Sequence, residues 1–184
     1  LKATLRPVLT KLDSSMRQVV RIKGNTITGN PDSGRYVARE EVVITRDSMR
    51  AETELARFIE TEERAILEKS PVVYYTENII RGETIHLSFE DDKLKEVYIT
   101  KKADVRSKAH GYERRPVSVT ADTTTSREDS VRYIQTKTDK KNLLQGTELN
   151  MWLEKNKIQR IRVRGMATSS YHVFEDSLYQ GLNE

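Results

Sequence analysis

One segment of the chain occurs twice, and this internal repeat constrains the fold more than any other feature of the sequence. The segment that starts at Gly82, GETIHLSFEDDKLKEVYIT, aligns without a gap with the segment that starts at Gly146, GTELNMWLEKNKIQRIRVR. The identical pairs are Gly82/Gly146, Glu90/Glu154, Lys93/Lys157 and Ala103/Ala167. An internal repeat indicates that one supersecondary unit is used more than once, so we expect the two copies to fold alike.

Apolar and polar residues alternate within each copy, which is typical of β-strands that bury one face. The charged stretches EDDK (90–93) and EKNK (154–157) separate the two strands of each copy and are predicted to be hairpin turns. The apolar positions, which we predict to line one shared interior and to contact lipid if that interior is open, are Ile85, Leu87, Phe89, Leu94, Val97, Ile99, Leu149, Met151, Leu153, Ile158, Ile161 and Val163. The intervening polar residues, such as Arg160, Arg162 and Arg164, are expected on the opposite, solvated face.

A sheet with one apolar face must fold over on itself or meet a second sheet. If the resulting slot is shut, it is a core and nothing more. If it stays open along one edge, it is a trough for an elongated apolar ligand, in which each buried methylene of an acyl chain contributes about 0.8 kcal/mol. Both forms require the same alternation, so the sequence leaves them open.

Strand patterns also occur outside the repeat, and we treat residues 1–184 as a single β domain. Further strands are predicted at EVVITR (41–46), VSVTA (117–121) and VRYIQTKT (131–138), with a turn at NPDSGR (30–35). Residues 49–67 fit either a helix or two strands joined by the turn ETEE, and the repeat's own rhythm favours the strands. Residues 1–16 fit an edge strand with a turn or a short helix. AHGYERRP (109–116) and ADTTTSREDS (121–130) are predicted to be connections.

Composition limits the classes of function. The chain has 36% hydrophobic and 33% charged residues, a net charge of +4 and no cysteine, so disulfides and thiolate chemistry are excluded. The positive charge suits an anionic partner, or is simply that of a soluble surface. Aromatic residues make up only 7%, too few for the stacking platforms of nucleic-acid-binding proteins, so no nucleic acid is expected as a partner. No apolar run approaches the roughly 20 residues that span a bilayer.

The side chains that usually carry chemistry are scattered. His86, His110 and His172 do not have the spacing of a zinc site. The adjacent carboxylates Asp91–Asp92 and Glu62–Glu63 fall in predicted turns, where solubility explains them. No phosphate-binding glycine loop and no catalytic triad is indicated. We therefore predict no catalytic residue, no metal site and no cofactor.

The repeat unit, together with VRIKGN (20–25), IRVRGMATSSY (161–171) and the alternation of residues 34–75, resembles the OstA/LptA-type family of organic-solvent-tolerance and lipopolysaccharide-transport proteins. The resemblance runs from about Val20 to Tyr179, and residues 108–141 depart from it. It implies an all-β fold, a repetitive antiparallel β-jellyroll shaped like a folded taco and built of short stacked strands. It further implies a periplasmic, non-enzymatic module whose interior shields the acyl chains of lipopolysaccharide during transport to the outer membrane.

Partners implied by the resemblance are lipopolysaccharide or its lipid A, and other jellyroll transport proteins joined end to end by strand addition; a homo-oligomer is a further expectation. The abrupt ends suggest that this domain is a fragment of a longer chain. The competing hypothesis is a structural β-solenoid or sandwich that serves protein–protein contact and has a closed core.

Overall fold

The structure is a computed structural model that describes residues 2–12, 15–16, 18–117 and 132–184. Apart from two short 3-10 turns, Pro31–Ser33 and Glu60–Glu62, its regular elements are all strands, which confirms the predicted all-β class. The strands are β1 (Lys2–Thr4), β2 (Val8–Leu12), β3 (Gln18–Lys23), β4 (Thr26–Asn30), β5 (Arg35–Arg46), β6 (Met49–Ile59), β7 (Arg64–Glu68), β8 (Val72–Tyr75), β9 (Asn78–Arg81), β10 (Thr84–Glu90), β11 (Lys93–Val117), β12 (Arg132–Glu154), β13 (Lys157–Arg164), β14 (Thr168–Glu175) and β15 (Leu178–Asn183). Among the described residues, no helix has the length and apolarity needed to cross a membrane.

The strands form one sheet, antiparallel except for the pairing of β11 with β15, that is folded lengthwise into two layers. The first layer follows the order β1-β4-β5-β6-β7-β10-β11-β12-β13, and the second contains β2, β3, β8, β9, β14 and β15. The long strands β5, β6, β11 and β12 belong to both layers, because each pairs with first-layer strands in one half and second-layer strands in the other. The bends of these strands together make a fold line along one side of the molecule. This is the folded-taco shape that the resemblance implies.

The bends occur where the backbone leaves regular strand geometry. Glu40, Glu41, Lys101 and Lys102 have positive φ, and the pairing registers of β5 and β11 shift at these residues. Such residues let a strand turn a corner without a break in the chain. The fold line is therefore built into β5 and β11, and short connections such as residues 82–83 and 165–167 cross it between other strands.

The repeat's shared glycine has the same role in both copies. A Cβ at Gly82 would overlap the side chain of Ile99, and a Cβ at Gly146 would overlap that of Val163, the residue aligned with Ile99. The following residue then donates a backbone hydrogen bond across the fold line, from Glu83 N to Lys101 O (3.1 Å) and from Thr147 N to Gly165 O (2.7 Å). Only glycine leaves room for this close approach, so the sequence identity has a packing cause.

Each layer turns one continuous apolar face toward the other. In the first layer, paired residues on successive strands form the inner row Ile27, Ala38, Ala56, Leu67, Ile85, Ile99, Leu149 and Val163. In the second layer the corresponding row is Leu9, Ile22, Ile44, Ala51, Val73, Ile80, Val105 and Leu144. The two rows belong to a single hydrophobic cluster, because side chains directly opposite on paired strands share a face.

A bulge at the turn of each copy explains why two of the predicted interior residues have even numbers. The register shifts between Ser88 and Phe89, so that Phe89 faces Leu94; it shifts in the same way before Leu153, which faces Ile158. An extra residue in one strand reverses the parity of the residues that follow. Leu94 and Ile158 therefore lie on the same face as the odd-numbered residues before them.

Most sequence predictions of strands and turns are confirmed. Residues 49–67 are two strands joined by the acidic turn at Glu60–Glu62, and the opening residues are strands β1 and β2. The segment NPDSGR is a turn, in which the Asn30 side chain accepts a hydrogen bond from Asp32 N at 3.0 Å. The segment ADTTTSREDS, residues 118–121 of the predicted strand VSVTA, and Val131 lie outside the described residues.

The prediction that AHGYERRP (109–116) is a connection was wrong. These residues continue β11, which is 25 residues long, and they pair in register with β12, for example His110 with Asp139 and Pro116 with Tyr133. The two strands form a ribbon whose apolar side chains Tyr112, Tyr133 and Ile134 are exposed. A ribbon without a buried face has no apolar alternation, so the pattern that reveals the other strands is missing here. The expectation of only short strands was also wrong, because β11 and β12 continue into this ribbon and reach 25 and 23 residues.

Candidate functional site

The predicted lipid-contacting residues lie around one interior, but they differ in their surroundings. Those that are buried in the core are Ile85, Leu87, Leu94, Val97, Ile99, Leu149, Met151 and Leu153. Phe89, Ile158 and Val163 are partly buried against it. Ile161, on the edge strand β13, is 38% exposed, whereas its repeat counterpart Val97 is fully buried. Of these twelve residues, Leu87 and Phe89 line an open space between the two layers.

That open space is a cavity of about 260 Å³ between the two layers, at the N-terminal end of the interior. We call it the trough. Its walls come from six strands, β2, β3, β5, β6, β7 and β10, and so from both layers. Its apolar lining consists of Leu9, Val20, Ile22, Tyr36, Ile44, Met49, Phe58, Ile59, Ala65, Leu87 and Phe89. The charged residues Lys11, Arg46, Glu60, Glu63 and Arg64 also border it.

Sequence reasoning missed most of the trough because its residues precede the repeat. A signal for part of it was present: Phe58 and Ile59 end the strand before the acidic turn ETEE, and Ala65 follows that turn. In the structure this hairpin is joined to the repeat, since Ala65 pairs with Leu87 and Phe58 pairs with Ala65. The trough is therefore the continuation of the repeat's apolar face onto the preceding strands.

The side of the interior opposite the fold line, which we call the mouth, is bridged by polar side chains from both layers. Arg46, at the end of β5, donates from Nη2 to Asp92 Oδ1 (2.7 Å) and from Nε to Asp92 O (2.9 Å). Its guanidinium carbon lies 3.8 Å from the centre of the Phe89 ring. Although charged, the Arg46 side chain is only 10% exposed. This contact closes the mouth immediately beside the trough.

A second bridge lies further along the mouth and uses the equivalent turn residue of the other copy. Asn156, which aligns with Asp92, accepts a hydrogen bond from the Tyr75 hydroxyl (3.3 Å) and donates from Nδ2 to Asp47 Oδ2 (3.3 Å). Both copies of the repeat thus use the same turn position to reach across to the second layer. The bridge of the first copy is an ion pair. In the second copy, the hydrogen bond between Tyr75 and Asn156 joins two neutral groups, and the carboxylate of Asp47 is the only charged group.

The electrostatics of the mouth reflect partial burial. Burial lowers the pKa of the Arg46 guanidinium, and the negative charges of Asp92 and Glu63 oppose that shift. Burial also raises the pKa of the Tyr75 hydroxyl. Lys11 of β2 lies 3.7 Å from both Glu60 and Asp92 and so spans the trough itself, but all three side chains are well exposed. An exposed pair of this kind contributes little, whereas the buried Arg46 contact contributes more.

The geometry defines a two-layered β structure with one elongated apolar interior, which contains a cavity in its N-terminal part and is bridged by polar contacts along one side. Within the described ranges, no group of three or more His, Asp or Glu side chains is arranged to hold a metal ion. A solved structure of LptH, the LptA-homologous periplasmic component of the lipopolysaccharide transport device of Pseudomonas aeruginosa, is similar to this chain, with 13% identity, a TM-score of 0.49, and coverage of 89% of this chain and 94% of that one. No protein-family model and no curated protein matches the sequence.

Proposed function

We propose that this protein is a non-enzymatic periplasmic module that shields acyl chains of lipopolysaccharide in its interior during transport to the outer membrane. The observation that supports this proposal most is the trough, an apolar cavity open at one end of an otherwise packed interior. An acyl chain that enters it leaves water for apolar surroundings, and each buried methylene contributes about 0.8 kcal/mol. The sequence resemblance of the repeat to the OstA/LptA-type family points to the same class of ligand.

The size of the trough says how a larger lipid would be accommodated. About 260 Å³ is slightly below the range of roughly 300–1,000 Å³ that is usual for ligand pockets. A lipid with several acyl chains therefore requires the two layers to separate at the mouth. The contact between Arg46 and Asp92 is the first one that such a movement breaks, because it borders the trough. Entry and release would then be controlled at this bridge.

Two cations at the border of the trough suit a ligand with an anionic head. Lys11 and Arg46 border the cavity together with Glu60 and Glu63, and both cations contact Asp92. Lys11 is already shared between two carboxylates at 3.7 Å, a long and solvent-screened contact that a phosphate can replace. The head of the lipid would stay at the mouth while its chains enter the interior.

Edge strands at the ends of the molecule suit end-to-end assembly. In the first layer, β1 pairs only with β4 and β13 pairs only with β12 within the described chain. Each therefore has one side on which its backbone groups can pair with another chain. Ile161 of β13 is exposed at this end, where an added strand would cover it. Strand addition by a partner or by a second copy of this protein would extend the interior.

The alternative function is a structural module for protein–protein contact, and one observation favours it. In the C-terminal part of the interior, Ile85, Val97, Ile99, Leu149 and Met151 are fully buried. If the whole interior behaves like this part, it is a core and holds no ligand. The two functions differ in whether lipid reaches the trough.

Site-specific photocrosslinking distinguishes them. A benzoylphenylalanine at Phe58, which lines the trough, should crosslink to lipopolysaccharide. The matched control is the same residue at Tyr74, which pairs with Ile79 and Arg50 and lies outside the trough lining. Crosslinking at Phe58 but not at Tyr74 supports shielding in the trough. Equal crosslinking at both positions, or none at either, contradicts it and favours the structural module.

A further inference from the structure

A second cavity lies on the outer face of the first layer, on the opposite side of the sheet from the interior. It has a volume of about 310 Å³, and we call it the outer groove. It is lined by Arg64, His86, Ser88, Glu96, Tyr98, Glu148, Leu149, Asn150, Arg162 and Arg164. The outer face of a sheet is expected to be merely solvated, so a concave polar space at this place requires an explanation.

The groove is built by side chains that pair across four neighbouring strands. His86 of β10 faces Tyr98 of β11, Tyr98 faces Asn150 of β12, and Asn150 faces Arg162 of β13. The adjacent row consists of Ser88, Glu96, Trp152 and Arg160. Because directly opposite residues share one face, the two rows form a continuous polar strip across the sheet. The strip comes from both copies of the repeat at once.

The groove contains three arginines and two glutamates, and two of the arginines are available for a ligand. Within the part of the chain that the structure describes, neither Arg162 nor Arg164 forms an ion pair with a carboxylate. Arg160 and Arg162 instead place their guanidinium carbons 5.3 and 5.8 Å from the centre of the Trp152 ring. Guanidinium groups bind phosphate through paired hydrogen bonds, and Arg is preferred where such planar recognition is needed.

The neutral groups of the groove match hydroxyl groups rather than a bare anion. Asn150 Oδ1 is buried and has no hydrogen-bond partner among the described residues. Burial, and the positive charge of Arg64, lower the pKa of His86, so its ring is neutral at pH 7 and has one donor and one acceptor nitrogen. Tyr98, Ser88, Glu96 and Glu148 supply further acceptors and hydroxyl donors. A buried acceptor without a partner is costly, and such groups are retained where a ligand supplies the missing donor.

We propose that the outer groove binds a phosphorylated sugar. The arginines hold the phosphate, the unpartnered Asn150 oxygen accepts a hydrogen bond from a sugar hydroxyl, and Trp152 provides an aromatic surface beside them. Inorganic phosphate alone would leave the Asn150 oxygen and the carboxylates without partners. The groove and the trough lie on opposite faces of the sheet and share only Arg64 in their linings, so this proposal stands or falls independently of the proposed function.

Isothermal titration calorimetry with three probes tests the chemistry. Glucose 6-phosphate should bind at least tenfold more tightly than either glucose or inorganic phosphate, because only it satisfies both the arginines and the hydroxyl partners. If inorganic phosphate binds as tightly as glucose 6-phosphate, the groove does not recognise the sugar. If none of the three probes binds, the groove is not a binding site for phosphorylated sugars. Deacylated lipopolysaccharide is a fourth probe: tighter binding than glucose 6-phosphate identifies a glycolipid head as the source, and equal binding identifies a free sugar phosphate.

Variants connect the binding to the groove. Arg162→Gln and Arg164→Gln should each weaken glucose 6-phosphate at least tenfold, and both lie on the exposed edge strand β13, where folding is least affected. Arg21→Gln on β3 of the second layer is the matched control, since Arg21 is also exposed and does not belong to the groove lining. Unchanged binding in both groove variants, or an equal loss in the control, contradicts the proposal.

The Asn150 variant adds a readout that a purely structural role would not give. Asn150→Leu removes a buried oxygen that has no partner, so the midpoint of urea unfolding should stay the same or rise. Binding of glucose 6-phosphate should nevertheless weaken at least tenfold. A stable Asn150→Leu protein that binds as tightly as the parent would overturn the role of Asn150. If this variant does not fold, Asn150 has a structural role, and the arginine variants alone decide the proposal.

Discussion

The N-terminal and C-terminal parts of the interior are built by the same alternation of residues, yet one contains a cavity and the other is solid. Along the middle row of the first layer, the residues facing inward are Tyr36, Phe58, Ala65, Leu87, Val97 and Met151. The single alanine of this row borders the trough together with Tyr36, Phe58 and Leu87, whereas Val97 and Met151 are fully buried beyond it. The open space therefore lies beside the one small side chain of the row.

The boundary between the two parts coincides with the first bridge of the mouth. Arg46 and Phe89 line the trough, and the Arg46 contact with Asp92 closes the mouth beside them. Beyond this point the space shrinks to about 10 Å³, bordered by Tyr75, Leu94 and Asn156 among others. A ligand-sized cavity and a packed core can therefore occur in the same folded sheet. In this protein, the small side chain of Ala65 and the contact of Arg46 with Asp92 mark the boundary between them.

The largest expected effect comes from truncating a side chain on each side of this boundary. Met151→Ala should lower the free energy of unfolding by about 2–5 kcal/mol, because it leaves a void in close-packed surroundings. Leu9→Ala should lower it far less, because Leu9 is only partly buried and already faces open space. Urea unfolding measures both. Equal losses of unfolding free energy would show that the two parts are packed alike and would contradict the difference between them.

Removing the charged end of Arg46 tests the boundary itself. Arg46→Met keeps the aliphatic stem near Phe89 but deletes both hydrogen bonds to Asp92, with an expected loss of about 1.5–3 kcal/mol. Asn156→Ala is the matched change in the second copy and should lose only about 0.5–1.5 kcal/mol, because its hydrogen bonds are longer. Binding of an apolar fluorescent dye should rise in Arg46→Met and not in Asn156→Ala. A rise in neither would mean that the bridge does not limit access.

The two glycines of the repeat allow packing at the fold line to be compared between a central strand and an edge strand. Gly82→Ala should destabilise the protein by about 1–3 kcal/mol, because the new Cβ overlaps Ile99, which is fully buried and cannot move aside. Gly146→Ala should cost less, because Val163 is only partly buried on the edge strand β13. Thermal unfolding of the two variants gives the order. The reverse order would indicate that β13 is held as firmly as β11.

The smallest effects concern two histidines outside the packed part. Hydrogen bonds to Asp139 and Glu77 raise the pKa of the exposed His110, which links the β8–β9 turn to the ribbon of β11 and β12. Its folded pKa is above the unfolded one, so its contribution is present below about pH 6.5 and is lost as the pH rises through the folded value. His86 has the opposite sign: its pKa is lowered, so stability is lost as the pH falls below about 6.5.

Nuclear magnetic resonance titration of the two rings checks these directions. The midpoint for His110 should lie above about 6.5 and that for His86 below it. His110→Gln should remove the gain in stability that the protein shows as the pH falls, and His86→Gln should remove the loss of stability as the pH falls. A His110 midpoint at or below the ordinary value would mean that the Asp139 and Glu77 contacts do not persist in solution.

Much of the fold could be predicted because its signals are local. The alternation around Ile85 and Leu149, the turns EDDK and EKNK, and the shared glycines each depend on a few neighbouring residues, and all are found as expected. The strand at residues 109–116 could not be predicted, since both faces of that ribbon are exposed and nothing selects an apolar period. The trough was missed for a different reason, because Leu9, Phe58 and Leu87 are far apart in the chain and meet only in space.

By itself, the sequence determined that the chain forms strands with one apolar face, that the unit is repeated, and where its hairpins turn, because these properties follow from side-chain period and backbone freedom. Only the tertiary structure decided that the faces enclose one interior, that Arg46 meets Asp92 across its mouth, and that one end stays open. These features depend on how closely two layers approach each other. That distance is set by the sum of many side-chain volumes on both layers, which no local pattern contains.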